Sequence, residues 1–191
     1  RWLDAVARVA TAERSVELRL LAALEESLGD VDRAVLSLSE ARRGAPGDVT
    51  VSAALARLLE KKGDVERLLE LHAHDAATSM DGGQRTASAL MAARLAETKG
   101  QLDRAAEFYR TALSASADCL EALDALDRLS RRTRPESTLD EVRARVALHR
   151  HAAENVTDVA RRVAHLTSVA TLFEEIAGDV AAALSTYQSI L

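Results

Sequence analysis

Apolar positions along this chain recur in a pattern keyed to glycine. In "KGQLDRAAEFYRTAL", Gly100 is followed two residues on by Leu102, five on by Ala105, nine on by Tyr109 and twelve on by Ala112. The same order follows Gly29 (Val31, Ala34, Leu38, Ala41), Gly63 (Val65, Leu68, His72) and Gly178 (Val180, Ala183, Tyr187, Ile190). The gaps between these glycines are 34, 37 and 78 residues, and the widest has room for one more unit, turning at Arg134-Pro135. Upstream of the turns run stripes at i, i+3, i+4 spacing: Leu18-Leu21-Leu24-Leu28, Leu55-Leu58-Leu59, Leu90-Leu95, Leu120-Leu123-Leu126-Leu129 and Leu166-Val169-Phe173-Ile176. Helical periodicity on both sides of a short turn predicts antiparallel hairpins, and a period in the mid-thirties predicts that the hairpins stack.

Each position has a physical reason. Glycine ends the first helix because it enters the left-handed conformation without a Cβ penalty. The Asp that follows in three units (Asp30, Asp64, Asp179) is suited to cap the second helix. Alanine recurs where two helices must approach closely. A hairpin that is apolar on two sides cannot bury itself alone, so neighbours must cover it.

The predicted organisation is a single array over 1–191. Residues 1–12 read as the second helix of a truncated repeat, and 13–45, 46–80, 84–117, 118–153 and 155–191 as helical hairpins. Both ends look cut, and the chain reads as part of a longer array. "SMDGGQ" (Ser79 to Gln84) reads as a loop between hairpins.

Composition agrees with an all-α class: good helix formers dominate, with only eight glycines and two prolines to make turns. No apolar run approaches the roughly 20 residues needed to span a bilayer, so membrane insertion is not expected. One cysteine, Cys119, allows no internal disulfide and leaves the redox compartment open. The compartment is unknown from these features, with the cytoplasm favoured. The Arg-rich, Lys-poor balance fits a GC-rich genome, and a bacterial source is the expectation.

The turn and the alanine five residues beyond it are similar to the signature of the tetratricopeptide (TPR) repeat family. The resemblance is best in "ALMAARLAETKGQLDRAAEFYRTAL" and fair around Gly29, where Pro46 stands at the family's repeat-ending proline. The family's tryptophan in the first helix is missing from every unit. Its small mid-helix residue is Ala22, Ala56 and Ala93 in three units but Asp127 and Thr171 in the others. Units at Gly29, Gly100 and Gly178 look alike, and those at Gly63 and Arg134 form a looser class. The resemblance implies a right-handed α-solenoid of about five hairpins whose first helices line a concave groove for a peptide or partner helix.

Carried over by position, six residues before each turn, the groove residues are Arg57, Arg94 and Arg128, with Ala23 in the Gly29 unit. Arg19 lies one helical turn before Ala23, and Arg131 and Arg132 follow Arg128. Such a ladder suits an acidic segment. The alternative is plain solvation, with Arg57–Glu60 and Arg94–Glu97 as i, i+3 pairs. The family's chaperone-tail clamp uses Lys and Asn on these helices, a set missing here, so that ligand is not implied.

Other chemistry is weaker. His72, His74 and Asp75, and His149 with His151, suggest metal ligands, but residues two apart on a helix point to opposite sides. Two ligands do not make a four-ligand site, so no metal is expected. His165 beside a leucine stripe reads as a packed histidine. No carboxylate pair or nucleophile set stands out, so no enzyme activity and no cofactor are expected. Residues 128–162 carry a local charge of +4 within a net −5, without an aromatic residue for base stacking, so nucleic acid is not an expected partner. The reading is a non-catalytic scaffold that binds a protein or peptide. The alternatives are a spacer with end-to-end self-association, or a regulatory domain attached to an enzyme elsewhere in a longer chain.

Overall fold

The computed structural model describes residues 2–133, 139–174 and 178–190. The Arg134-Pro135 turn and Ile176 lie outside them. The described residues form ten α-helices and no strand, and the chain divides into two compact units, residues 1–79 and 80–191.

The first unit holds α1 (Trp2–Ser27), α2 (Val31–Gly44), α3 (Val49–Lys62) and α4 (Val65–Thr78). The second holds α5 (Gly82–Thr98), α6 (Leu102–Ala115), α7 (Leu120–Thr133), α8 (Leu139–Asn155), α9 (Val159–Leu172) and α10 (Val180–Ile190). Gly63 and Gly100 turn at φ 68° and 72°. Beyond each, the next backbone N–H returns to the helix it has just left, Asp64 to the Leu59 carbonyl and Gln101 to the Ala96 carbonyl. This closes the orphaned carbonyls of a helix end.

Asp30 accepts from the Arg33 N–H, Asp64 from Arg67 and Asp179 from Ala182, capping α2, α4 and α10. Asp48, Asp81 and Asp158 cap α3, α5 and α9 in the same way, which the turn pattern did not single out. Gln101 stands at the cap of α6 without a side-chain hydrogen bond to it.

Alanine sets the packing distance. Ala89, Ala92, Ala93 and Ala96 form the fully buried face of α5, opposite Ala105 and Ala112 of α6. Faces with only a Cβ let the two backbones approach closely. Bulkier residues, Val142, Val146, Val169 and Leu172 with Phe173 against them, fill the space between α8 and α9.

Three expectations change. Residues 2–27 are one continuous helix, with no boundary after residue 12, because "ATAERS" contains no glycine or proline to break it. The loop expected over "SMDGGQ" ends halfway: α5 begins at Gly82, since Asp81 accepts from the Gln84 N–H at 2.7 Å and starts the turn there. In the α1 stripe Leu21, Leu24 and Leu28 are exposed, and Ala22 and Ser15 are the buried residues instead.

Candidate functional site

Two clefts lie between successive first helices, one in each unit. In the first unit Val16, Arg19, Leu20, Ala23 and Glu26 of α1 and Ala54, Arg57 and Leu58 of α3 enclose about 330 Å³. In the second, Arg94 and Glu97 of α5, Tyr109 of α6, and Glu121, Asp124 and Arg128 of α7 line about 610 Å³.

Both clefts are laced by two ion pairs of opposite direction. In the first unit Arg57 donates to Glu26 from both terminal nitrogens, at 2.6 and 2.5 Å, and Arg19 stands 3.8 Å from Asp48. In the second Arg94 donates to Glu121 at 2.7 and 2.6 Å, and Arg128 donates to Glu97 at 2.6 Å. Such fork-to-fork contacts fix direction as well as charge. The i, i+3 pairing of Arg57 with Glu60 and of Arg94 with Glu97 is therefore replaced by contacts across helices. An arginine six residues before its turn reaches a glutamate three residues before the previous turn, 31 residues away in both units.

These contacts shift the groups involved. The Arg57 hydrogen bond holds the Glu26 carboxyl below the usual carboxylate range. Arg94 is raised by its hydrogen bond to Glu121. The Thr50 hydroxyl, then the capping N–H groups of Val51 and Thr50, lower Asp48. Burial, then its hydrogen bond to Glu97, raises the Tyr109 phenol; the hydroxyl donates to Glu97 at 2.7 Å.

Arg19, Arg57, Arg94 and Arg128 all reach a cleft. Arg131 does not: it lies in the last turn of α7, exposed and outside the cleft lining. Gly29, Gly63, Gly100 and Gly178 all have positive φ, between 62° and 83°. Among the described residues no group of three His, Cys, Asp or Glu is placed to hold a metal ion, and no helix is long and apolar enough to cross a membrane.

Residues 52–86 match the tetratricopeptide repeat family model. The solved structure of MamA covers 94% of this chain and 91% of its own at a TM-score of 0.55 and 11% identity. YrrB, described as a TPR protein with an unusual peptide-binding site, covers 92% and 84% at 0.53 and 11%. Nearly identical TPR-like repeats of a Podosopora anserina putative kinesin light chain cover 93% and 94% at 0.50 and 19%. One stretch of this chain thus matches a tetratricopeptide repeat, and its fold is similar to that of these TPR structures. No curated protein matches it.

The matched TPR stretch falls on the unit around Gly63, one of the two expected to be loosest, rather than on the Gly100 unit. Within the TPR frame, the small-residue position filled by Asp127 carries the feature that sequence reading missed. Asp127 is buried and faces His149, which in turn faces His165. An acidic residue in a slot normally small was the available signal.

Proposed function

We propose that the chain is a non-catalytic scaffold that holds a partner protein segment against the first helices of its hairpins, with the α1/α3 cleft as the main seat. The observation that carries this reading is the composition of that cleft. Its floor is apolar, with Val16 and Leu20 largely exposed. Its rim carries Arg19 and Arg57, and Lys61 stands 3.8 Å from Glu26. Glu26 is shared between two cations, and one Asp48 oxygen is committed to capping α3. Positive charge is left over, which suits a segment combining apolar anchors with carboxylates. The α5/α7 cleft is different: Glu97, Glu121 and Asp124 outnumber Arg94 and Arg128. An acidic segment is therefore assigned to the first cleft alone.

Selection from a displayed peptide library on the immobilised chain tests this. Apolar–acidic peptides are expected, their binding falling with added salt and lost in the Arg19→Ser/Arg57→Ser and Leu20→Ser variants. Arg94→Ser/Arg128→Ser is expected to retain them. Enrichment of basic peptides, or binding indifferent to both Arg19/Arg57 and Leu20, overturns the assignment.

A second reading, self-association, is favoured by exposed apolar ridges. Val16, Leu20, Leu24 and Leu28 follow one another at four-residue spacing on and just past α1, and Val180, Leu184 and Tyr187 are exposed on α10. Concentration-dependent sedimentation abolished by Leu24→Asp is the expected sign of it. A monomer at every concentration removes it.

A further inference from the structure

The core of the second unit contains a chain of polar groups that its neighbours do not require for packing. His149 on α8 and His165 on α9 are both fully buried. Their rings meet edge to face, with centroids 5.6 Å apart and planes at 60°. Three contacts run in series: His149 Nε2 to Asp127 Oδ2 at 3.3 Å, His149 Nδ1 to His165 Nδ1 at 3.4 Å, and His165 Nε2 to the Asp118 carbonyl at 3.2 Å.

Counting protons along this series gives a definite result. An ionised carboxylate and a carbonyl stand at the two ends, and both only accept. Each of the three contacts needs one proton, yet two neutral imidazoles supply only two. With both rings neutral and both end contacts made, two bare Nδ1 atoms face each other. One added proton fills all three contacts. A second added proton sets two N–H groups against each other.

We propose that His149 and His165 form a one-proton switch in the core of the second unit, holding a single shared proton between their Nδ1 atoms with Asp127 as its counter-ion.

The surrounding charges fit. From α7, Asp127 lies against His149, and Asp124 Oδ1 is 4.0 Å from His149 Nε2. From α8 itself, Arg145 Nε stands 3.5 Å from Asp127 Oδ1. Ahead of α7, the Asp118 carboxylate stands 3.7 Å from Arg161 of α9. Arg145 supplies one positive charge against the two α7 carboxylates near His149, so this group of charges balances when the histidine pair holds one proton. Burial, more than any neighbour, lowers His165, and its Nε2 lies against the Asp118 carbonyl, which only accepts.

The switch has a route outward. Asp124 lines the α5/α7 cleft and accepts from the Ser168 hydroxyl of α9 at 3.0 Å. The charge of that cleft therefore depends on whether the buried pair holds its proton. This link needs no particular partner, so it stands apart from the peptide reading of the first cleft.

Nitrogen chemical shifts of the imidazoles, followed from pH 8 to pH 5 on the whole chain labelled at histidine, test the proposal. The expected result is two coupled steps about one pH unit or more apart. Between them, three of the four ring nitrogens carry protons. Asp127→Asn gives a sharper test, because its amide donates to His149 Nε2. His149 then carries its proton on Nδ1, and all three contacts are filled without an added proton. The variant is expected to lose the first step and to show the exchanged tautomer. Rings that titrate together in a single step, or an Asp127→Asn variant with both steps intact, overturn the proposal. Should that variant fail to fold, the wild-type spectra decide alone, since a state with three protonated nitrogens is either present or absent.

Discussion

Arg57 of α3 grips Glu26 of α1 through two hydrogen bonds, 31 residues apart in sequence. The geometry is bidentate, yet the Arg57 side chain is 57% exposed, so water screens much of the attraction. The pair therefore positions one first helix against the next more than it stabilises them. Arg57→Glu is expected to lower the melting temperature slightly, through repulsion with Glu26. Glu26→Arg in the same chain is expected to restore it. Two single changes that simply add would show that the residues do not interact.

The turn glycines give a cleaner stability test. A Cβ built on Gly63 or Gly100 meets nothing within 4 Å, so replacement by alanine is not blocked by a neighbour. The left-handed backbone alone resists it, at about 1 kcal/mol for each site. Equilibrium denaturation of Gly63→Ala and Gly100→Ala reads this cost directly.

Arg42 of α2 and Asp75 of α4 form a far more covered pair, at 2.5 Å with side chains 15% and 17% exposed. Asp75→Ala leaves the guanidinium without its counter-ion and is expected to cost about 3 kcal/mol. Arg42→Met with Asp75→Leu is expected to recover most of that loss. Hydrogen exchange of the α2 and α4 amides would localise the effect to the first unit.

Acid is expected to act on the fold through His72. Burial lowers His72 below the ordinary histidine value of about 6.5. The unfolded chain therefore binds a proton at a pH where this folded ring does not, and that part of the stability is lost as pH falls from about 6.5 towards the depressed folded value. The denaturant midpoint at pH 5.5, taken relative to that at pH 7.5, should be higher in His72→Leu than in the wild type.

Caps away from the glycine turns should matter as well. Asp158 accepts from the Arg161 N–H at 2.8 Å, and Asp158→Ala is expected to cost about 1 kcal/mol. Loss of helical signal from α9, with α3 unchanged, would place the effect.

The sequence by itself determined the all-helical class, the two-helix repeat and the turns at Gly29, Gly63, Gly100 and Gly178. Those depend on contacts a few residues long: glycine at positive φ, an Asp accepting from the N–H three residues on, alanines at helical spacing. Position relative to a turn selects a helix face, and Arg19, Arg57, Arg94 and Arg128 line a cleft while Arg131 does not. What the sequence left open was every relationship between faces. Whether Arg57 meets Glu60, three residues along its own helix, or Glu26 on another helix depends on how near that other helix lies, which no local spacing contains. The exposure of Leu24 and Leu28 was open for the same reason, because an apolar stripe is buried only where a second element covers it. The series from Asp127 through His149 and His165 to the Asp118 carbonyl joins α7, α8, α9 and the turn before α7. Only tertiary packing, which buries Asp127 and both rings against one another, could make it.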